Sequence, residues 1–281
     1  MGFFNKRTLS ISEYKRCFMA FVLLIMLSPM VFAANTGSDV YDHSHALWDK
    51  VLMTSVVDVG PASRVRYLSI KQNPQQLLQY LSDVSTVTQG QYNAWNSAQK
   101  LAFLINAYNA FTVKLVIDHY PVTSIKDTGS WFSSPWKKKF FTLLGQKRHL
   151  DNIEHDMIRG HKDFAEPRIH FALVCASVGC PKLQTRAFTE TRLESMLEEG
   201  SRAFLNDATR NRFSMAGQAL ELSKIFDWYG DDFIAHGGSV EAFVARYMVL
   251  NETARSLISA KRIGKVFLDY DWSLNDAGNA K

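Results

Sequence analysis

The segment from Ser97 to Asp118 constrains the fold most, because it predicts a helix that is apolar on almost every side. Large side chains recur at helical spacing along one face, and Phe103, Val113 and Ile117 lie on the others. A helix of this kind has to be surrounded by protein, so we expect it at the centre of the fold. Proline cannot continue a helix, and Pro121 should end this one. The residues at helical spacing are Leu101, Leu104, Ile105, Tyr108, Phe111, Thr112 and Leu115.

Two β-hairpins are predicted downstream of this helix, each from short runs on either side of a turn. The first joins 140–144 to 147–150, and the second joins 212–214 to 219–222. Weak alternation at 265–270 predicts a last strand. The sheet content should therefore be small.

Amphipathic helices are predicted around the second hairpin. Thr191 and Glu194 have the spacing of a capping box, ahead of a helix that ends near Asn206. Ser223 and Ser239 are the predicted N-caps of two further helices. Helices interleaved with small antiparallel pieces predict an α+β fold, a mostly helical single domain with a buried central helix and small antiparallel hairpins.

The first 33 residues have the three parts of a cleavable signal peptide: a basic stretch, an apolar run and small residues. The apolar run from Cys17 to Leu27 is eleven residues long, whereas a helix that spans a bilayer needs about 20. Val31 and Ala33 have the small side chains of a cleavage site, which predicts cleavage after Ala33. We therefore expect a periplasmic or secreted protein without a stable membrane anchor, in which 34–281 form one globular domain. The alternative is an uncleaved anchor.

Composition argues against several classes of partner and cofactor. Removing residues 1–33 takes away four of the 32 basic residues and one of the 27 acidic residues, which leaves a net charge of +2. Proteins that bind nucleic acid usually carry a concentrated basic excess, so we expect no nucleic-acid partner. The sequence has no P-loop, G-x-S-x-G, H-E-x-x-H or EF-hand motif, and we expect no cofactor.

Reactive side chains are concentrated in the region 150–183, which holds both cysteines that remain after signal cleavage. Glu154 and His155 are predicted on a short helix capped by Asp151, with Arg159 one turn further on the same face. We expect the reactive residues of this region to converge in the fold. The candidate catalytic set is Cys175, Cys180, His170, His155, Glu154 and Arg168.

Three interpretations of Cys175 and Cys180 compete, besides two buried and inert thiols. In an oxidising compartment two nearby thiols tend to pair, and a turn that uses Gly179 would bring these two to disulfide distance. A nucleophilic thiolate requires a histidine as base and a carboxylate that orients it. A zinc site would combine both cysteines with His155 and His170, although the spacing differs from that of the usual ligand pairs.

The position of His170 limits the nucleophile hypothesis. His170 and Cys175 are five residues apart, which puts them on different faces of a strand or a helix. The tertiary fold must therefore bring a base, either His155 or His170, to a sulfur. The simpler alternative is that both imidazoles are hydrogen-bonded core side chains.

Three other features have both a functional and a structural interpretation. Asn106 and Asn109 on the central helix either hold a backbone segment of the site or form a structural network. The aromatic and lysine run at 131–141 suits contact with a sugar, an anionic polymer or a membrane surface, or else is a solvated edge of the core. The run at 226–233 either presents carboxylates beside a groove or anchors the core with aromatic side chains.

The motifs around these residues resemble the family called domain of unknown function 547, which occurs in bacterial envelope proteins and as a terminal domain in plant and animal proteins. The matching stretches are AFLINAYNA at 102–110, HYP at 119–121, IEH at 153–155, PRIHFAL at 167–173, CASVGCP at 175–181 and LSKIFDWY at 222–229. The tail at 269–275 also looks like that of bacterial members. The family often has Asn before the first cysteine and Ser before the second, where this chain has Val174 and Gly179.

This resemblance implies a domain without a settled activity. The family's Glu-His, His and Cys pattern is similar to that of papain-like and transglutaminase-like enzymes, which is an analogy of residues and not of fold.

Two functional hypotheses lead. The first is an exported envelope module whose Glu/His/Cys cluster is not catalytic and which binds a small-molecule, peptide or envelope-polymer ligand. The second is a cysteine-dependent hydrolase or acyltransferase, in which Cys175 or Cys180 attacks a carbonyl and His155 or His170 takes the thiol proton. In that mechanism Glu154 orients the imidazole and Arg168 binds the developing anion. A zinc-binding domain is the third.

Overall fold

The computed structural model describes residues 1–2, 41–129 and 134–278. Residues from Tyr41 onward belong to one compact unit. The predicted signal peptide, beyond its first two residues, and the cleavage site after Ala33 lie outside the described residues. Trp131 and Phe132 of the aromatic and lysine run lie outside them as well.

Helices account for most of the regular structure, and every strand is short. The elements up to the central helix are α1 (Ala46–Ser55), β1 (Val56–Asp58), β2 (Ser63–Val65), α2 (Tyr67–Gln72), α3 (Gln75–Thr86), α4 (Gln89–Ala94) and α5 (Ser97–His119). Next come 3₁₀-helices at Ile125–Thr128, Pro135–Lys137, Lys162–Phe164 and Pro167–Phe171, the strands β3 (Phe141–Leu143) and β4 (Gln146–Arg148), and a π-helix at Asn152–Arg159. The last elements are α6 (Leu193–Leu205), β5 (Arg212–Ser214), β6 (Ala219–Leu222), α7 (Ile225–Trp228), α8 (Gly230–Gly237), α9 (Val240–Tyr247), α10 (Glu252–Ser259) and β7 (Gly264–Phe267). The predicted α+β class is confirmed.

Helix α5 is the buried central helix that the sequence predicts. Asn96 and Gln99 form a capping box that satisfies free N–H groups at its first turn. Every residue at 101–113 is buried, including the polar ones. The helix is long and apolar enough to cross a membrane, but 89% of its most apolar window is buried inside the protein. Its apolar surface is therefore covered by the surrounding elements, as in the core helix of a globular fold.

Both predicted hairpins are confirmed. Strands β3 and β4 pair antiparallel, as do β5 and β6. The predicted last strand is also present as β7, and it adds to β6 in the parallel direction with Ala219 opposite Gly264. Helices α7 to α10 lie between β6 and β7 in the sequence and provide the crossover that a parallel pair requires.

Two of the predicted helices differ from the structure in detail, one in its cap and one in its length. The helix α6 begins after Arg192 without a side-chain cap, because the Glu194 carboxylate is bonded to Arg168 instead of closing a capping box. The helix predicted after Ser223 is divided into α7 and α8. The predicted N-cap at Ser239 is confirmed, since its side chain accepts a hydrogen bond from the backbone of α9.

Two neighbouring groups of buried side chains form the core. The larger group surrounds α5 and includes Cys180. The smaller one joins Phe171 to aromatic side chains of α6 to α9, among them Phe226 and Phe233. The structural interpretation of the run at 226–233 is therefore confirmed for these two phenylalanines, which are 1% and 0% exposed.

The C-terminal tail crosses the loop that joins the two cysteines. Three backbone hydrogen bonds of 2.8–3.0 Å join the loop at 176–179 to the tail at 271–275. These bonds hold Tyr270 and Trp272 beside the residues of the candidate site.

Candidate functional site

One pocket, with a volume of about 240 Å³, is lined by five of the six residues in the candidate set. They come from the π-helix, the last 3₁₀-helix and the cysteine loop, three short segments within residues 152–180. The structure brings these side chains together around one space, although they belong to separate elements. The five are Glu154, His155, His170, Cys175 and Cys180.

Arg168, the sixth residue, does not line this pocket. Its guanidinium donates hydrogen bonds of 2.5–2.8 Å to Glu166 and of 2.7–2.8 Å to Glu194, and it lies 3.6 Å from Glu198. The hydrogen bonds to Glu166 and then Glu194 raise the pKa of Arg168 above its ordinary value. Arg168 therefore stands apart from the other five residues, and its donors join the last 3₁₀-helix to α6.

The π-helix carries Glu154 and His155. Its wider hydrogen bonds include one from the N–H of Gly160 to the carbonyl of His155, at 2.8 Å. The predicted cap by Asp151 is wrong, because its side chain makes no capping hydrogen bond. Asp151 lines the pocket instead, where burial raises the pKa of its carboxyl group.

Glu154 is bonded to a tyrosine that the sequence analysis did not single out. Glu154 is 7% exposed, and its Oε1 atom accepts a hydrogen bond of 2.6 Å from the hydroxyl of this tyrosine, Tyr229. Burial, followed by the neighbouring Glu154, raises the pKa of Tyr229 far above its ordinary value. The same two causes raise the pKa of Tyr108. Both phenols therefore stay protonated and can donate to the carboxylate.

His170 and Asp232 form a second bonded pair. The Nε2 atom of His170 lies 2.8 Å from Oδ2 of Asp232, and the imidazole stacks on Tyr229 with ring centroids 3.9 Å apart. This bond, and then the one from Arg159, hold the pKa of Asp232 well below its usual range. An ionised carboxylate only accepts, so Nε2 of His170 is the donor.

The other nitrogen of His170 is consequently available. Burial lowers the pKa of the His170 imidazole, although the bond to Asp232 opposes this effect. The neutral ring then carries its lone pair on Nδ1, which has no hydrogen-bond partner in the part of the chain that the structure describes. His170 can act as a hydrogen-bond acceptor or a base through this atom.

Arg159 fixes the orientation of His155. The sequence places it one turn after His155, and the structure confirms the contact, with Nη1 2.9 Å from Nδ1. Arginine can only donate, so Nδ1 of His155 accepts and the ring proton lies on Nε2. Arg159 also bonds Asp232 through Nε and Nη2, at 2.7 and 3.1 Å. One guanidinium thus connects the two histidines of the pocket.

Cys175 and Cys180 form a disulfide, with Cα atoms 6.2 Å apart. The loop between them takes its left-handed conformation at Ala176, with φ of 62°, so the turn does not need a positive φ at Gly179. Gly179 is required for a different reason, because a Cβ atom there would lie 3.0 Å from the carbonyl oxygen of Asp271.

Hydroxyl groups surround the sulfurs. The phenol of Tyr270 lies 3.2 Å from each of the two sulfurs and from Oγ of Ser177. Burial raises the pKa of Tyr270, so this phenol remains a donor. Neither imidazole is a hydrogen-bond partner of a sulfur among residues 41–129 and 134–278.

Asn109 on α5 positions the chain that leads into the first cysteine. Its side chain donates to the carbonyl of Ala172 at 2.8 Å and accepts from the N–H of Val174 at 2.9 Å. Asn106 makes the equivalent pair of hydrogen bonds to the backbone of Phe188. Of the two interpretations of these amides, the contacts of Asn109 fit the one in which it holds the backbone that leads to Cys175.

The pocket has an aromatic rim, the largest part of the site that the candidate set omitted. Trp272 packs on Trp136 and Trp228, with ring centroids 5.7 Å apart in both pairs, and on Tyr270 at 4.6 Å. Trp228 is 44% exposed. In the sequence, this rim was indicated only by the aromatic runs at 131–141 and 226–233 and by the tail at 269–275.

The zinc-binding alternative lacks a ligand set. Within the described ranges, no group of three or more His, Cys, Asp or Glu side chains is arranged to hold a metal ion. Both proposed thiolate ligands are joined to each other.

A family model described as "Protein of unknown function, DUF547" matches residues 92–205. This stretch contains α5, the π-helix, His170 and both cysteines, whereas Tyr229 and Asp232 lie beyond it. Comparisons with curated proteins and with solved structures found no significant match. The match shows which family this part of the chain is similar to.

Proposed function

We propose that this protein is an exported module that binds a small ligand in the pocket formed by the π-helix, the cysteine loop and the C-terminal tail. The observation that carries the proposal is the fixed orientation of Glu154, His155 and His170, each of which lines the pocket while a neighbouring side chain holds it. Export is proposed from the signal peptide predicted at residues 1–33. The ligand is a small molecule, or the end of a peptide or envelope polymer.

The available atoms define what the pocket can offer. His155 presents an N–H donor at Nε2, His170 presents an acceptor at Nδ1, and Glu154 keeps lone pairs that Tyr229 does not use. Because neighbouring side chains already hold these groups in place, ordering them adds little to the free-energy cost of binding a ligand. The joined sulfurs supply a wall of the pocket and no thiolate.

Thermal unfolding in the presence of small polar compounds tests this proposal. A ligand at about 10 mM with a Kd of about 1 mM stabilises its protein by about 1.4 kcal/mol, which is measurable as a rise in Tm. Amines, carboxylic acids, amino sugars and dipeptides would be compared on the full chain. We expect one class to raise the Tm, and we expect Trp228→Ala to abolish the effect because this side chain forms the rim.

Met215→Ala is the matched control. Met215 is 56% exposed in the turn of the second hairpin and does not line the pocket. Stabilisation that survives Trp228→Ala would place the binding elsewhere, and no stabilisation by any of the four classes would contradict the proposal.

Cysteine-dependent acyl chemistry is the second candidate, and the free Nδ1 of His170 favours it. A dithiol reductant would first open the disulfide to two thiols and would itself become oxidised. Nδ1 of His170 would then take the proton of Cys175, whose sulfur attacks an acyl carbon. The leaving group departs with the proton from the imidazole, and water cleaves the thioester to restore the thiol.

Reduced protein and p-nitrophenyl acetate test this second candidate. We expect one equivalent of p-nitrophenolate to be released rapidly from reduced wild type and from Cys180→Ser, and none from Cys175→Ser. His170→Gln should slow acylation about 100-fold, as for loss of a general base. Equal rates for wild type and Cys175→Ser would exclude the mechanism.

A further inference from the structure

We infer that the ligand of this pocket carries an organic ammonium group. The inference rests on the proposed function and adds the chemical class of the ligand. Two features of the pocket carry it, namely carboxylates without a cationic partner and walls of aromatic rings.

The first feature is a pair of carboxylates, Asp151 and Glu154, that line the pocket. Among residues that the structure describes, neither forms an ion pair with Lys, Arg or His, and no Lys or Arg lines the pocket. Glu154 is nevertheless 7% exposed. A buried carboxylate without a cation is unfavourable, so a bound cation would supply the missing interaction.

Nearby cations do not replace this partner. The guanidinium of Arg159 directs its hydrogen bonds to His155 and Asp232. Glu154 instead accepts a hydrogen bond from the neutral phenol of Tyr229. A carboxylate has about four lone-pair sites, and this hydroxyl occupies one of them. Glu154 can therefore accept an ammonium donor or face a quaternary nitrogen without losing Tyr229.

The second feature is the set of six aromatic side chains around the same space. The faces of such rings attract cations, most strongly where water is excluded. Two of the rings already show this preference, since the ammonium of Lys126 lies 3.7 Å from the ring centroid of Trp272 and the guanidinium carbon of Arg159 lies 4.9 Å from that of Tyr229. The six are Tyr108, Trp136, Trp228, Tyr229, Tyr270 and Trp272.

The volume limits the size of the ligand. A cavity of about 150 Å³ admits benzene, and pockets for larger organic ligands begin at about 300 Å³. At about 240 Å³, this pocket fits a compact amine and not an extended polymer segment. A longer ligand would therefore insert only its ammonium end.

Three probes with one shape and different charges test the inference. They are choline, its neutral carbon analogue 3,3-dimethylbutan-1-ol, and 3,3-dimethylbutanoate. Isothermal titration calorimetry would measure the Kd of each for the full chain with its sulfurs joined. We expect choline to bind at least about tenfold more tightly than the alcohol, since only the charged probe can make cation–π contacts with the rings.

Two substitutions assign the effect to Glu154. Glu154→Gln should weaken choline binding about tenfold and leave the affinity for the alcohol unchanged. Glu199→Gln is the matched control, because this glutamate is exposed on α6. Asp151→Asn repeats the test if Glu154→Gln does not fold.

The outcomes separate the inference from the proposed function. If the alcohol or the acid binds as tightly as choline, or if neither carboxylate variant weakens choline binding, the ammonium preference is overturned while the pocket remains a binding site. If none of the three probes binds, the inference and the binding function both fail.

Discussion

His45 is a buried titratable residue far from the candidate site in sequence. It is 1% exposed, and its Nδ1 atom lies 2.8 Å from the hydroxyl of Tyr80. Its Nε2 atom is buried without a hydrogen-bond partner among the described residues. Burial lowers the pKa of this imidazole to about 3. Protonation of His45 therefore opposes folding.

The sign of the pH dependence follows from linkage. The folded pKa of His45 is about 3, and an unfolded histidine has a pKa of about 6.5. Between these values the unfolded chain binds more protons, so the free energy of unfolding rises with pH. The contribution is complete above about pH 6.5 and is lost as the pH falls toward 3. Burial lowers the pKa of His170 too, which acts in the same direction.

His45→Gln should reduce this dependence. Urea unfolding at several pH values between 7 and 4 measures the slope, and we expect it to fall by up to about 1.4 kcal/mol per pH unit, the contribution of one proton. His236→Gln is the control, because His236 is exposed on α8. An unchanged slope in His45→Gln would show that His45 titrates normally in the folded protein.

At the scale of elements, the cysteine loop is fixed from two sides. Asn109 of the central helix holds the chain that enters it, and the C-terminal tail pairs with its backbone. Gly179 lies at the second contact, where a Cβ atom would be 3.0 and 3.1 Å from backbone atoms of Asp271 and 3.1 Å from the ring of Tyr270. Backbone atoms cannot move as a flexible side chain can, so the close approach requires glycine.

Gly179→Ala should consequently destabilise the protein by about 1–3 kcal/mol, as overpacking does. Denaturant unfolding of the oxidised protein measures this change. Gly90→Ala provides the comparison, since its nearest neighbour is 3.9 Å away and the residue lies in helix α4. There we expect a neutral or slightly stabilising effect. Equal stabilities for the two variants would contradict the tight contact between the loop and the tail.

The sequence predicts elements better than the contacts between them. Helix α5 and both hairpins follow from local periodicity and turn residues, which do not depend on the rest of the fold. The capping box predicted from Thr191 and Glu194 does not form, because Arg168, 26 residues earlier in the chain, binds the carboxylate of Glu194. Similarly, the sequence predicts carboxylates in the run at 226–233, whereas the hydrogen bond that Asp232 accepts from His170 depends on how α8 packs. The Glu, His and Cys residues of the pocket are predictable because they cluster in the sequence, whereas its aromatic rim and most of the hydrogen-bond partners are not.

At the scale of the whole molecule, the proposed export would place the two cysteines in an oxidising compartment. Joined sulfurs are typical of oxidising compartments, and the disulfide in the described part of the chain agrees with the proposed export. The signal peptide was predicted from the order of its basic, apolar and small residues.

Export predicts a defined N-terminus. Protein recovered from the periplasm or medium of a bacterial host should begin at Ala34, as shown by N-terminal sequencing. Ala33→Arg should block cleavage, because the residue before the cut has to be small. Recovery of the uncleaved wild-type chain from the membrane would instead support the anchor alternative.

The most direct test of the shared pocket is histidine NMR before and after reduction of the disulfide. Protein with ¹³C-labelled histidine would be treated with a phosphine reductant, and the signals of His155 and His170 would be assigned from their glutamine variants. We expect reduction to shift both signals, because both imidazoles line the space that the sulfurs line. The exposed His161 and His236 should not respond. If neither His155 nor His170 shifts, the imidazoles and the sulfurs do not share a site.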